Sequence, residues 1–192
     1  MKFFFTLDYK KRYRFFSSEP PKDVQEELSR GKKLWERAKQ KIMRIPQRTL
    51  VQELAFQKAL KIKEKNIQIY YSGDPEEKKI KKKFSHFLNR QKTKHIFLLL
   101  GEVILLPVSG LAAFLPGPNV FFYFLALLLI TQWLALRGII RLQRKNYRFT
   151  AAPTFKEWEQ SLESKGKEDF SQILKKIERI YKLPNVRKIL WK

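Results

Sequence analysis

The residues of this sequence placed to do chemistry are the few polar side chains inside its apolar runs. Glu102 is the one charged residue of the 20-residue run IFLLLGEVILLPVSGLAAFL (96–115), and Arg137 is the one charged residue of the 21-residue run VFFYFLALLLITQWLALRGII (120–140). An ionised carboxylate at the centre of a membrane-inserted helix costs about 2.5–3.5 kcal/mol, a cost that protonation relieves. Two roles stay open for Glu102: a proton or cation site, or a hydrogen bond or ion pair that locks two helices together. Folding the runs back on each other about residues 116–119 sets Glu102 level with Trp133. Thr131 and Gln132 are then the expected partners, with Arg137 about a turn nearer the charged end. The rest of the inventory is negative. Cysteine is absent, so there is no thiolate metal site or disulfide framework. His86 and His95 lie nine apart and form no helical metal pair at i and i+4; both are expected as solvated, interfacial side chains. With no Gly-rich phosphate loop, HExxH or nucleophile elbow, the sequence points away from an enzyme and predicts no catalytic residue, metal or cofactor.

The elements that would carry these residues follow from length. Coiled as an α-helix at about 1.5 Å per residue, each run reaches roughly 30 Å, the thickness of a bilayer's hydrocarbon core. The link between them is PGPN. Pro116 and Pro118 fix φ, Gly117 supplies the permissive position, and Asn119 is suited to cap the second helix. Pro107 cannot donate to the carbonyl of Val103 and predicts a kink in the first span. The pattern predicts a two-span transmembrane helical hairpin; the alternative is a buried α-hairpin in a soluble domain, for which apolar runs of about 10–14 are more usual.

Charge fixes the expected orientation. The chain carries 41 Lys+Arg against 18 Asp+Glu, a net +23, and its mean hydropathy of −0.43 conceals the apolar runs. Residues 78–94 hold 8 basic and no acidic residues, and residues 137–148 hold 5 and none. Lys81, Lys82, Lys83, Arg90, Lys92, Lys94, Arg141, Arg144 and Lys145 are therefore expected at anionic headgroups, worth about 1 kcal/mol each near the surface. Basic residues beside a span stay inside, so both termini are expected to be cytoplasmic. A bacterial inner membrane fits this pattern, with the mitochondrial inner membrane as the alternative. A nucleic-acid footprint using Phe84, Phe87, Tyr147 and Phe149 is the weaker reading of the same charges, because they flank apolar spans.

In the flanks, the Phe- and Tyr-rich segments 2–7 and 12–17 and the run Ile67–Tyr71 predict three strands. Val24 to Ile45 and Val51 to Ile62 predict two amphipathic helices. The expected organisation is a small α+β cytoplasmic domain (1–73), a basic juxtamembrane helix (74–95), the hairpin (96–140), and a basic exit segment with C-terminal helices (141–192). The juxtamembrane helix is predicted to start at Asp74 and Pro75, to carry Ile80, Phe84, Phe87, Leu88 and Gln91 on one face, and to bend at Asn89–Thr93. Thr154 and Glu157 spell a capping box for the first C-terminal helix. The fold class read here is a mainly α membrane protein.

LPVSGLAAFLPGPNVFFY (106–123), followed by Trp133, Ala135 and Gly138 in a W-x-A-x-x-G spacing, resembles the mitochondrial K+/H+ exchange-related membrane proteins. IYYSGDP and the opening MKFFFTL extend the similarity toward residues 1–150. The resemblance implies a link to potassium/proton exchange, as transporter subunit or accessory factor. Where that family carries an Arg and a His before the Ala–Gly stretch, this sequence reads LALLLITQW, so the motif positions carry over and a mechanism does not. Two spans cannot enclose a pathway, which implies a homo-oligomer or a larger membrane partner. The alternative is a membrane-anchored adaptor that binds a protein or anionic lipid.

Overall fold

Phe and Tyr crowd KFFFTL and YRFFS, and aromatic side chains suit a pleated surface. These segments form β1 (Lys2–Leu7) and β2 (Tyr13–Ser17). The computed structural model describes residues 2–17, 47–62, 66–73, 75–111, 120–163, 169–181, 186 and 190. The expected helix over Val24–Ile45, the Asp74 cap and the turn at Pro116, Gly117, Pro118 and Asn119 lie outside those residues. After β2 come α1 (Gln47–Ala59), β3 (Asn66–Tyr71), α2 (Glu77–Leu111), α3 (Val120–Gln143), β4 (Asn146–Ala151), α4 (Pro153–Glu163) and α5 (Asp169–Tyr181).

The strands make one mixed sheet in the order β2-β1-β3-β4. β1 and β2 are antiparallel, with Phe4 opposite Phe16 and Phe5 opposite Phe15. Asp8 closes their turn by accepting from the Arg12 N–H at 2.9 Å and pairing with the Arg14 guanidinium at 2.7 Å. β1 runs parallel to β3, and β3 parallel to β4 from Asn66↔Asn146 to Tyr71↔Ala151.

Both faces of this sheet are covered, which is why Phe3, Phe4 and Phe5 can follow one another without a polar break. On one face Phe3, Phe15 and Tyr147 close around Phe84 of α2, each ring centre within 5.1 Å of the Phe84 ring. On the other, Phe4, Phe16 and Tyr70 meet Phe155 and Trp158 of α4 and Leu174, Ile177 and Tyr181 of α5. A buried carboxylate ties α4 to the sheet edge. Glu159 accepts from the Thr6 hydroxyl at 3.0 Å, the Leu7 N–H at 3.3 Å and the Tyr13 hydroxyl at 3.2 Å. Next to it, the Trp158 indole N–H donates to the Leu7 carbonyl at 2.8 Å. Three donors offset the desolvation of one buried carboxylate.

The chain divides into two compact units. One holds the sheet with residues 1–55, 63–84 and 145–192, and the other holds residues 56–62 and 85–144. The fold class expected from the sequence is corrected on two counts. First, the segment read as a basic exit supplies β4 to the same sheet as β1–β3, so the α+β unit draws on both ends of the chain, not on an N-terminal domain with a helical tail. Second, the two-span hairpin is not found. Among the described residues, one helix, Phe122–Gln143, is long and apolar enough to cross a membrane. The first apolar run is the distal part of the 35-residue α2. Its described apolar stretch, Ile96–Leu111, reaches only about 24 Å, short of the roughly 30 Å hydrocarbon core, and buries a carboxylate within it.

Burial pushes the Tyr147 hydroxyl from 10.0 up to about 12, because the phenolate would lose its hydration there. The folded chain therefore holds this proton more tightly than the unfolded chain. The resulting stabilisation is complete below pH 10 and is lost as the pH rises from about 10 to about 12. Comparing unfolding near pH 9 and near pH 11.5, the wild type should lose more stability than Tyr147→Phe, by less than about 2 kcal/mol because solvent screens a half-buried hydroxyl. Equal losses would contradict this account of Tyr147.

Candidate functional site

The unit of residues 56–62 and 85–144 buries a few polar groups within an apolar core and exposes a broad apolar surface. Along α2, Leu88, Gln91, His95, Leu99, Glu102 and Leu106 step by three and four and share one buried or half-buried face. Two of the buried positions are the ionisable His95 (4 % exposed) and Glu102 (8 % exposed). The outward face is apolar instead, with Phe97 70 % and Ile104 71 % exposed and Leu100 and Val103 beside them. In α3, Leu128, Gln132, Ala135 and Ile139 are buried, whereas Leu127, Ile130 and Trp133 are exposed.

Cross-helix hydrogen bonds set the register. The Gln143 amide donates to Asn89 Oδ1 at 2.7 Å, and His95 Nδ1 meets Gln132 Oε1 at 2.5 Å. Residues 89–95 of α2 thus lie alongside residues 132–143 of α3. Compared with a fold-back about residues 116–119, the register is displaced by one to two turns. Gln132, expected as a partner of Glu102, hydrogen-bonds His95 instead. An amide oxygen can only accept, so the His95 Nδ1 carries the hydrogen in this pair. The ring stands edge-on to Phe56, 6.2 Å between centres and 87° between planes.

The end of α1 seats against this pair of helices. The Gln57 amide donates to the Thr131 carbonyl at 3.3 Å, and the Arg141 guanidinium donates to the Ile62 carbonyl at 3.5 Å. At the closest approach a Cβ on Gly138 would lie 1.8 Å from the Phe56 carbonyl oxygen, so no other residue fits there without moving backbone.

The remaining predicted residues fall as follows. The half-buried Thr131 donates its hydroxyl to the Leu128 carbonyl at 2.8 Å. Arg137 is exposed and stands apart from the buried stripe. Pro107 lies inside α2, which continues without a break through the expected bend at 89–93. Lys81, Lys82, Lys83, Arg90, Lys94, Arg141 and Arg144 are exposed, and Lys92 and Lys145 are half-buried. Arg90, Lys92, Lys94, Arg137, Arg141 and Arg144 gather at the end of the α2–α3 pair that the Asn89–Gln143 bond marks, while Phe97, Ile104, Leu127 and Ile130 lie toward the other end. His95 was expected to be solvated. Its signal was its spacing, four residues after Gln91 and seven before Glu102, which continues the buried face of the juxtamembrane helix.

In chemical terms the buried stripe offers an imidazole, a carboxyl and an amide, groups that hold or pass protons. Among the described residues no three His, Asp or Glu side chains gather to hold a metal ion. A protein-family model described as mitochondrial K+-H+ exchange-related matches residues 17–145, about two thirds of the chain. No curated protein and no solved structure matches it.

The Gly138 contact yields a paired test. Gly138→Ala should destabilise the protein by about 2–3 kcal/mol through overpacking against α1. Gly101→Ala, where an added Cβ meets nothing within 4 Å, should instead stabilise it by about 0.5–1 kcal/mol. Thermal unfolding of the two variants measures both signs; a Gly138→Ala protein as stable as the wild type would refute the close approach.

Proposed function

The chain belongs to the mitochondrial K+-H+ exchange-related family, and on that premise we propose that it is a membrane-bound component of potassium/proton homeostasis, acting as a transporter subunit or accessory factor and catalysing no covalent reaction. One observation carries the membrane part of this reading: residues 85–144 bury His95, Glu102 and Gln132 while exposing Phe97, Leu100, Ile104 and Trp133. In water that arrangement places a large apolar surface in the wrong solvent. Against lipid it is the favourable one, since buried polar side chains find partners inside and apolar ones meet hydrocarbon. The apolar α3 supplies the helix that can cross, and Trp133 sits one turn from Arg137, as aromatic and basic residues do at a membrane interface.

The basic collar of Arg90, Lys94, Arg137, Arg141 and Arg144 would then meet anionic headgroups. The family description names the mitochondrion, which fits the mitochondrial alternative. The bacterial inner membrane expected from the sequence finds no support in that match. One crossing helix does not enclose an ion path, so transport would need further copies or a larger membrane partner. The second reading, a membrane-anchored adaptor, is favoured by the sheet unit, whose buried Glu159 and Asp8 are engaged in holding the fold.

Reconstitution of the purified chain into vesicles containing anionic lipid tests both levels. The protein should float with the vesicles and stay bound in high salt, because apolar contact survives where headgroup attraction is screened; release by salt would overturn the membrane reading. Potassium-dependent proton flux in the same vesicles supports the transporter subunit, and no flux at any protein-to-lipid ratio supports the adaptor.

A further inference from the structure

The two histidines of this chain lie on one helix in opposite surroundings, His86 exposed and His95 buried. The Nδ1–H of His95 is donated to Gln132 Oε1, so a proton can be gained only at Nε2. Gaining it would place a cation among apolar side chains, which requires a counter-charge nearby.

The surroundings offer one. α3 contains no acidic residue, and its Arg137 and Arg141 are exposed. α1 brings the Phe56 ring edge, the buried acid Glu53 one turn before it and, two residues after it, Lys58, whose ammonium is buried. On α2 itself, Glu102 is the sole acid in residues 85–144 and lies seven positions after His95 on the same buried face. Seven residues of helix place it about 10 Å along the axis. Two unit charges at that distance, at an effective dielectric near 20, alter each other's proton affinity by roughly tenfold.

We propose that His95 is a proton-binding site inside this unit, with Gln132 fixing which ring nitrogen titrates and Glu102 supplying the balancing charge. An imidazole and a single carboxylate suit a proton better than a dehydrated alkali cation, which calls for a ring of oxygen ligands. The assignment stands on the side-chain geometry and does not require that the protein transport ions, so it can fail while the membrane reading stands, and the reverse.

Imidazole nitrogen NMR of the full chain in lipid nanodiscs tests it, with exposed His86 as the internal reference. Neutral His95 should carry its hydrogen on Nδ1, and Gln132→Leu should move that hydrogen toward Nε2. Glu102→Gln should lower the proton affinity of His95 about tenfold relative to His86 without changing the tautomer. Three results would overturn the proposal: His95 titrating in step with His86 in the wild type and both variants, His95 taking up no proton while the protein stays folded, or a neutral form protonated on Nε2. If Glu102→Gln does not fold, the wild-type tautomer and titration decide by themselves.

Discussion

The parallel pairing of β3 with β4 is the constraint on which the rest of this structure depends. Six residues at Asn66–Tyr71 align one for one with six at Asn146–Ala151, so whatever the chain does between them must begin and end at the same sheet. The apolar unit is therefore an insertion into a sheet that is completed only after it. The closure also explains the sheet's composition. With α2 on one face and α4 and α5 on the other, neither face is left to water, and strands covered on both sides carry unbroken apolar runs. Glu159 and Trp158 then fasten the helix that follows β4 back onto β1, so the last strand, the following helix and the first strand hold one another in place.

Inside the insertion the ordinary rule of burial is broken at particular positions. Hydrophobic transfer favours burying Phe97 and Ile104 in water, at about 25 cal/mol per Å² of apolar surface, and disfavours burying Glu102. Both preferences are set aside at these positions, which is the observation behind the proposed membrane setting. In the proposed membrane setting apolar area would not hold the helices together, because lipid is as apolar as leucine. Specific contacts take over that role: the His95–Gln132 and Asn89–Gln143 bonds, and the backbone approach at Gly138 that seats the end of α1. His95, whose bond to Gln132 helps fix the packing, shares its buried face of α2 with Glu102, so the packing and the proposed proton site share residues.

Much of the sheet unit was legible because its signals are local. Aromatic crowding marked β1, β2 and β3, and the capping pattern near Thr154 placed the start of α4 to within a residue or two, although Thr154 lies inside that helix and shares its hydroxyl hydrogen bond with Tyr181. β4 was missed because Arg144, Lys145 and Arg148 read as a basic exit from a membrane. The alternation of Tyr147 and Phe149 with Arg148 and Thr150 was its faint sign, and its partner strand begins eighty positions earlier in the chain, beyond the reach of any local pattern. Length alone gave Ile96–Leu115 the look of a span, and length cannot show that the run continues an amphipathic helix begun at Glu77. Glu102 and Gln132 stood out as polar residues in apolar runs. The pairing of Gln132 with His95 did not, since an assumed fold-back at PGPN set a different register.

In the proposed membrane setting, Phe97 and Ile104 face hydrocarbon while the basic collar faces water. The chain has no cysteine, so single substitutions to Cys take a spin label at a chosen site without background. With the protein in vesicles containing anionic lipid, labels at Phe97→Cys and Ile104→Cys should be reached by oxygen and shielded from a water-soluble nickel complex, while labels at Arg90→Cys and Arg144→Cys should be reached by nickel. Equal nickel access at all four positions would contradict the account.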